Sequence, residues 1–313
     1  MIISNQIFYY EIKKKGHNDY GDMMSIYLQL LLASFFWGSN VIVMKLLLKE
    51  IPFLLLAVLR VFFSFFFLAI YMKIKKESFL YHHKAKALVL GFFAIYLNFF
   101  LTFKGMNQVK GIDNAFLNAL SPAFTFMMSF FLLKEKGNKY DFIAINLSVF
   151  AFLLSIHFQI FPIQIGFWYL LLGMILYMLA NVLVQKWELH QSLSLSLYQL
   201  FFGFLMLLVH YVSFYQFSIE DIRKISFLHW VLFLLISGIG FAYIQVIYMK
   251  AIKEIGAFQT SFFLSLNPLI TYLESLLILK ETFDWFQFFA FLLLAYAIYL
   301  MKIKSPALVK EKT

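Results

Sequence analysis

Cysteine is absent from all 313 residues. That excludes disulfide bridges, thiolate metal sites and a cysteine nucleophile. Charge is scarce: Asp, Glu, Lys and Arg make up 13% of the chain, about half the ~25% of a soluble domain. No HExxH, Asp-rich prenyl-diphosphate motif, glycine-rich phosphate loop or Walker sequence occurs, so the familiar routes to membrane-enzyme chemistry and to direct use of ATP are missing. "SGIG" at 237–240 offers a serine between glycines but no histidine base, and reads as close helix packing. No re-entrant filter or ring of charge marks a channel. The opening "MIISNQIFYYEIKKKGHNDYGDMM" lacks the apolar core and small-residue cleavage site of a signal peptide.

Apolar residues fill the space that charge leaves. The chain is 63% hydrophobic and 21% aromatic, more than a water-facing surface can absorb, so an apolar solvent must cover much of it. An integral membrane protein follows, with the lipid bilayer as its first partner. The net charge of +10 would point to nucleic acid in a soluble chain. Here the basic residues sit in short loops between apolar runs, where they set topology, and no nucleic-acid partner is expected. No cofactor or metal is implied. His82-His83 has no companion ligands, and His157, His210 and His229 fall near the ends of apolar runs as interfacial residues. The oligomeric state is open, and a monomer suffices.

An apolar helix crosses the ~30 Å hydrocarbon layer in about 20 residues. The expected fold class is all-α, with ten transmembrane helices at 26–46, 53–72, 87–104, 112–133, 141–158, 165–185, 193–214, 227–249, 257–279 and 285–302. These runs are apolar on all faces rather than alternating, which favours helices over barrel strands. Residues 1–25 and 303–313 are expected as cytoplasmic tails, and Met23 or Met24 could serve as the start. With the amino terminus inside, eighteen lysines fall in inner segments, among them Lys73, Lys75, Lys76, Lys84 and Lys86, against seven basic residues in outer ones. Both termini are therefore expected in the cytoplasm of a cell-membrane protein.

The chain also repeats itself. "SPAFTFMMSFFLLKE" (121–135) returns as "NPLITYLESLLILKE" (267–281) at a constant offset of 146, and the match extends without a gap from 103–136 to 249–282. "WGSNVIVMK" (37–45) resembles "MLANVLVQK" (178–186), pairing Asn40 with Asn181 and Lys45 with Lys186. Five spans per half is an odd number, so the second half enters the membrane inverted. Two inverted five-helix repeats, 26–158 and 165–302, are the plan of carriers that open a central site to either side in turn.

"ASFFWGSNVIVMKLLLKEIPFLLLAVLRVFFSFFF" resembles the opening of an EamA-type repeat of the drug/metabolite transporter superfamily, and "LSPAFTFMMSFFLLKE" resembles the fourth helix of that repeat. The resemblance implies ten helices, cytoplasmic termini, and export or exchange of small metabolites. Two departures stand out: Lys134-Glu135 replaces the usual Gly-Glu after the fourth helix, and Gln199 stands where the second half would repeat Arg60.

Candidate pathway residues are the polar and aromatic groups inside spans: Trp37, Asn40, Arg60, Asn98, Asn118, Ser121, Tyr177, Asn181, Gln199, Tyr243, Asn267, Thr271 and Glu274. Tyr96 and Gln245 are of the same kind, and any of these can instead bond helix to helix. Pro122 and Pro268 lie about halfway along their spans as helix kinks, each displacing the carbonyl four residues earlier, that of Asn118 or Leu264. Arg60 and Glu274 are the full charges well inside spans. Their distances from the outer end, about 12 Å and about 8 Å at 1.5 Å per residue, make an ion pair one expectation; the alternative is an unrelated placement, with Glu274 solvated from the outer vestibule and Arg60 snorkelling. The reading is a secondary transporter of a small amphipathic or zwitterionic metabolite, such as an amino acid, and not an enzyme. A membrane-embedded enzyme or a non-transporting scaffold is the alternative.

Overall fold

The computed structural model describes residues 26–304, apart from 110, 159–163, 190–191, 216–218, 224, 279 and 281. The amino-terminal tail with its alternative start, and residues 305–313, lie outside the described residues. Among those described, every regular element is a helix. In the first half α1 (Ile26–Leu47), α2 (Phe53–Ile74), α3 (Lys84–Met106), α4 (111–133) and α5 (Lys139–Ser155) follow one another. After them come α6 (Ile165–Lys186), α7 (Ser192–Phe214), the short α8 (Ile219–Arg223), α9 (227–255), α10 (257–278) and α11 (Trp285–Lys304).

Among the described residues seven stretches are long and apolar enough to cross a bilayer, rather than the ten expected. Two of the expected spans run together as the 52-residue stretch Phe227–Ile278. The 17 residues of α5 reach only about 25 Å at 1.5 Å per residue, and the apolar part of α11, Trp285–Leu300, is also short. Large apolar side chains point outward along these helices, with Phe214 76%, Leu277 79% and Phe131 71% exposed. Such a surface suits lipid rather than water.

The 52-residue stretch is bent at Gly256, where φ is 84° and ψ 161°. That backbone region is open essentially to glycine alone. It separates α9 from α10 without a loop.

The two halves share their irregularities. In α4 the helix tightens to a 3-10 turn at Asn118–Leu120 and restarts at Ser121, with Pro122 in its first turn. In α10 a turn at 265–266 precedes a restart at Asn267, with Pro268 second. The prolines therefore begin new helical segments instead of kinking continuous ones. Proline is well tolerated there, because the first-turn N–H groups lack helical partners anyway. The carbonyl of Asn118 is met locally, accepting from the Ser121 hydroxyl.

The 146-residue offset also joins two helix caps. Asn138 caps α5 in a reciprocal box with Asp141, and Asp284 accepts from the backbone N–H groups of Phe286 and Gln287 at the start of α11. The third long helix of each half carries a π-helical stretch, Gly91–Leu97 in α3 and Phe233–Ile239 in α9.

Packing joins like to like: α2 lies against α7, and α5 against α11. The α3–α6 contact is close because Gly105 and Gly166 face each other. A Cβ on Gly105 would stand 2.6 Å from the Gly166 carbonyl oxygen, and one on Gly166 2.9 Å from that of Gly105. The SGIG stretch packs on α2, where the Ser64 hydroxyl bonds the carbonyls of Ser237 (3.2 Å) and Gly238 (3.1 Å).

Candidate functional site

A cavity with an empty volume of about 590 Å³, its mouth included, lies between α1, α2, α3, α4 and α6. Six expected residues line it: Trp37, Asn40, Arg60, Asn98, Asn118 and Tyr177. The structure adds Asn114, Thr102 and four methionines, Met44, Met106, Met174 and Met178. Asn114 sits one turn before Asn118, so its spacing could have pointed to it. The methionines could not be told from lipid-facing apolar residues.

Arg60 is the charge at the site. It is 7% exposed, and its guanidinium carbon lies 4.4 Å from the Phe241 ring centroid and 4.7 Å from that of Phe99. Aromatic faces attract a desolvated cation. Its Nε has no hydrogen-bond partner, and no carboxylate lies within ion-pair distance among the described residues. Trp37 extends the aromatic wall, with ring centroids 5.4 Å from Tyr177, 5.7 Å from Tyr248 and 6.3 Å from Phe241.

The expected Arg60–Glu274 pair does not form. The Glu274 carboxylate instead accepts from the Ser39 hydroxyl at 2.5 Å, and on the same face of α10 Thr271 donates to the Gly38 carbonyl at 3.0 Å. These two bonds fasten α10 to α1 beside Trp37 and Asn40. The expected pair rested on depth alone, and the two charges meet different neighbours.

Of the remaining candidates, Gln199 and Tyr243 bond between helices, and Ser121 bonds within its own. Gln245 donates to Gln199 at 2.5 Å, and Tyr243 donates to the Gln29 carbonyl at 3.3 Å. Ser121 bonds the Asn118 carbonyl just beyond the cavity wall. Asn181 and Asn267 are buried outside the cavity lining. The repeat gives the Gln199–Gln245 bond a meaning. Phe99 and Gln245 stand 146 residues apart, so the contact of Arg60 with Phe99 in one half corresponds to the contact of Gln199 with Gln245 in the other. The histidines expected near span ends are all engaged: His157 with Asp284 at 2.6 Å, His229 with Glu50 at 2.6 Å, and His210 with the Tyr96 hydroxyl at 3.1 Å. Among the described residues no group of three His, Asp or Glu side chains is placed to hold a metal.

The two ends of the cavity region are built differently. At one end Lys45 donates to the carbonyls of Met106 and Val109, tying α1 to the turn after α3. The lining residues fall in the half of the bundle nearer this end. At the other, the Gln185 amide makes two short bonds. It donates to Glu135 at 2.6 Å and accepts from the Ala257 N–H at 2.6 Å, beside the bend at Gly256. Three segments, the ends of α4 and α6 and the start of α10, meet at that one side chain. Burial raises the Glu135 carboxyl above its ordinary value, and the bond from Gln185 pulls it partly back.

Residues 24–157 and 162–303 each match the family model described as the EamA-like transporter family. The protein named "Uncharacterized transporter YetK" from Bacillus subtilis (strain 168) is 26% identical over 309 residues, spanning 94% of this chain and 92% of that protein. A solved crystal structure superposes with a TM-score of 0.69 at 12% identity, covering 88% of this chain and 96% of that one. At that identity the likeness speaks for the fold alone.

Proposed function

Because the chain belongs to the EamA-like transporter family of the drug/metabolite transporter superfamily, we propose that it is a secondary carrier working by alternating access. Its solute is a small amphipathic or zwitterionic metabolite, and it is a carrier rather than an enzyme. The observation that carries this reading is the cavity itself. Residues of both repeats wall it, and a single guanidinium stands among aromatic rings and neutral amides. Exchanging the conformations of two inverted halves about such a site would expose it to each side in turn.

The full architecture in this reading is ten crossings, as repeats 26–158 and 165–302. The bend at Gly256 divides Phe227–Ile278 into two, and the shorter α5 and α11 supply the last pair. The contacts of α2 with α7 and of α5 with α11 support an inverted arrangement, since each joins the same member of the two repeats. The lysine distribution supports a cell-membrane protein with both termini in the cytoplasm. A single cysteine at residue 80, in a chain otherwise free of thiols, tests this, and its labelling from outside intact cells would refute the orientation.

Transport itself is tested by untargeted uptake and efflux profiling in proteoliposomes, with and without an imposed proton gradient. Solutes moved only by the loaded vesicles are the expected result. Profiles identical to those of empty vesicles would refute the carrier reading.

A further inference from the structure

The cavity contains one full positive charge and no acid among its lining residues. We infer that the solute it recognises is an organic monocarboxylate with an apolar body, held by its carboxylate at Arg60. This rests on the carrier reading and names the substrate class of the same cavity.

Three features converge on that chemistry. First, the guanidinium is buried with its Nε unpartnered. The rings of Phe99 and Phe241 hold it, and ring contacts consume no N–H hydrogen bond. A planar, two-oxygen acceptor such as a carboxylate matches the guanidinium's fork of donors. Second, three of the four lining asparagines are already engaged as donors. Asn40 Nδ2 donates to Ser237 Oγ at 3.1 Å, Asn98 Nδ2 to the Gly173 carbonyl at 2.8 Å, and Asn118 Nδ2 to the Asn114 carbonyl at 3.4 Å. An ammonium group would find only neutral oxygens beside a fixed positive charge, so its loss of water would go uncompensated. Third, Trp37, Phe99 and the methionines form an apolar wall. Methionine adapts its shape, so the wall accepts bodies of varied outline.

The probe series is 3-phenylpropionate, its primary amide, phenylalanine and phenethylamine, titrated calorimetrically into the purified full chain. The expected order puts the acid first, the amide about tenfold weaker or more, phenylalanine weaker than the acid, and no heat from the amine. Arg60→Gln should bring the acid down to the level of the amide, while Arg60→Lys keeps part of the preference. Equal binding of acid and amide, tighter binding of phenylalanine, measurable binding of the amine, or no binding of the acid would each overturn the inference. If Arg60→Gln does not fold, the wild-type series decides alone. The same probes are offered to proteoliposomes. A carboxylate that binds but is never moved would sustain the cavity inference and count against the carrier. Failure of the carboxylate series, with another solute transported, would do the reverse.

Discussion

Gln185 joins three helical segments through one amide, so its removal should loosen one end of the bundle. Gln185→Ala deletes the bond to Glu135 and the bond from the Ala257 N–H, both 2.6 Å long. A hydrogen bond to a charged group contributes about 1.5–3 kcal/mol and a neutral one about 0.5–1.5. Together they amount to roughly 2–4 kcal/mol, which at 1.4 kcal/mol per decade shifts an open–closed equilibrium on the order of 30-fold or more. The reporter is a cysteine at Ser261, 2% exposed and one turn into α10 beyond Ala257. Its rate of thiol labelling in inside-out vesicles measures opening at this end. Glu135 adds a pH signature. Its carboxyl is raised from 4.5 by burial in the latched arrangement, and opening returns it to water and its ordinary value. The latched state thus binds the proton more readily. Its advantage is complete below the ordinary value and is lost as pH rises through the raised one. Labelling should quicken as pH rises through that window, and Glu135→Gln should flatten the response. Unchanged labelling in Gln185→Ala, or an undiminished pH response in Glu135→Gln, would refute the latch.

Other substitutions test the remaining geometry. Gly256→Ala should cost about 1–3 kcal/mol in detergent-phase thermal denaturation, and Gly256→Asn should be no milder, because asparagine eases the left-handed helical region and not this one. An unshifted melting curve would mean that the bend is not held. Gly166→Ala drives a methyl towards the Gly105 backbone and should destabilise by about 1–3 kcal/mol; unaltered stability would show that α3 and α6 part easily. Arg60→Gln and Glu274→Gln should be additive in stability to within about 0.5 kcal/mol, since their side chains serve different partners. A coupling beyond that would restore the pair.

What could be read in advance follows from what a membrane helix reveals. Apolar runs mark where the chain crosses lipid, and a constant offset marks the repeat, so the paired proline restarts lie where the sequence places them. Arg60, Asn40, Asn98 and Asn118 were identifiable because a polar group in lipid must have a reason to be there. Direction was not legible. Helices apolar on every face carry no stripe to show which side is buried, so the similar expected depths of Arg60 and Glu274 said nothing of their facing. The same blankness hid Met174 and Met178, whose side chains read like those that meet lipid. Gln185 was hidden differently, because its counterpart in the first repeat is Met44 and the pairing offered no polar match. Gly256 falls opposite Lys110, and only the backbone angle explains the glycine.

The unlike contacts of the halves, Arg60 on Phe99 in one and Gln199 with Gln245 in the other, have a thermodynamic consequence. Identical halves would make the two end states of a carrier mirror images of equal free energy. Here the buried cation belongs to one repeat alone, so under the proposed alternating access each end state would place it in a different setting. The degeneracy would then be lifted. The empty carrier would have a resting side, and half-saturation measured from one face of the membrane would differ from that measured from the other.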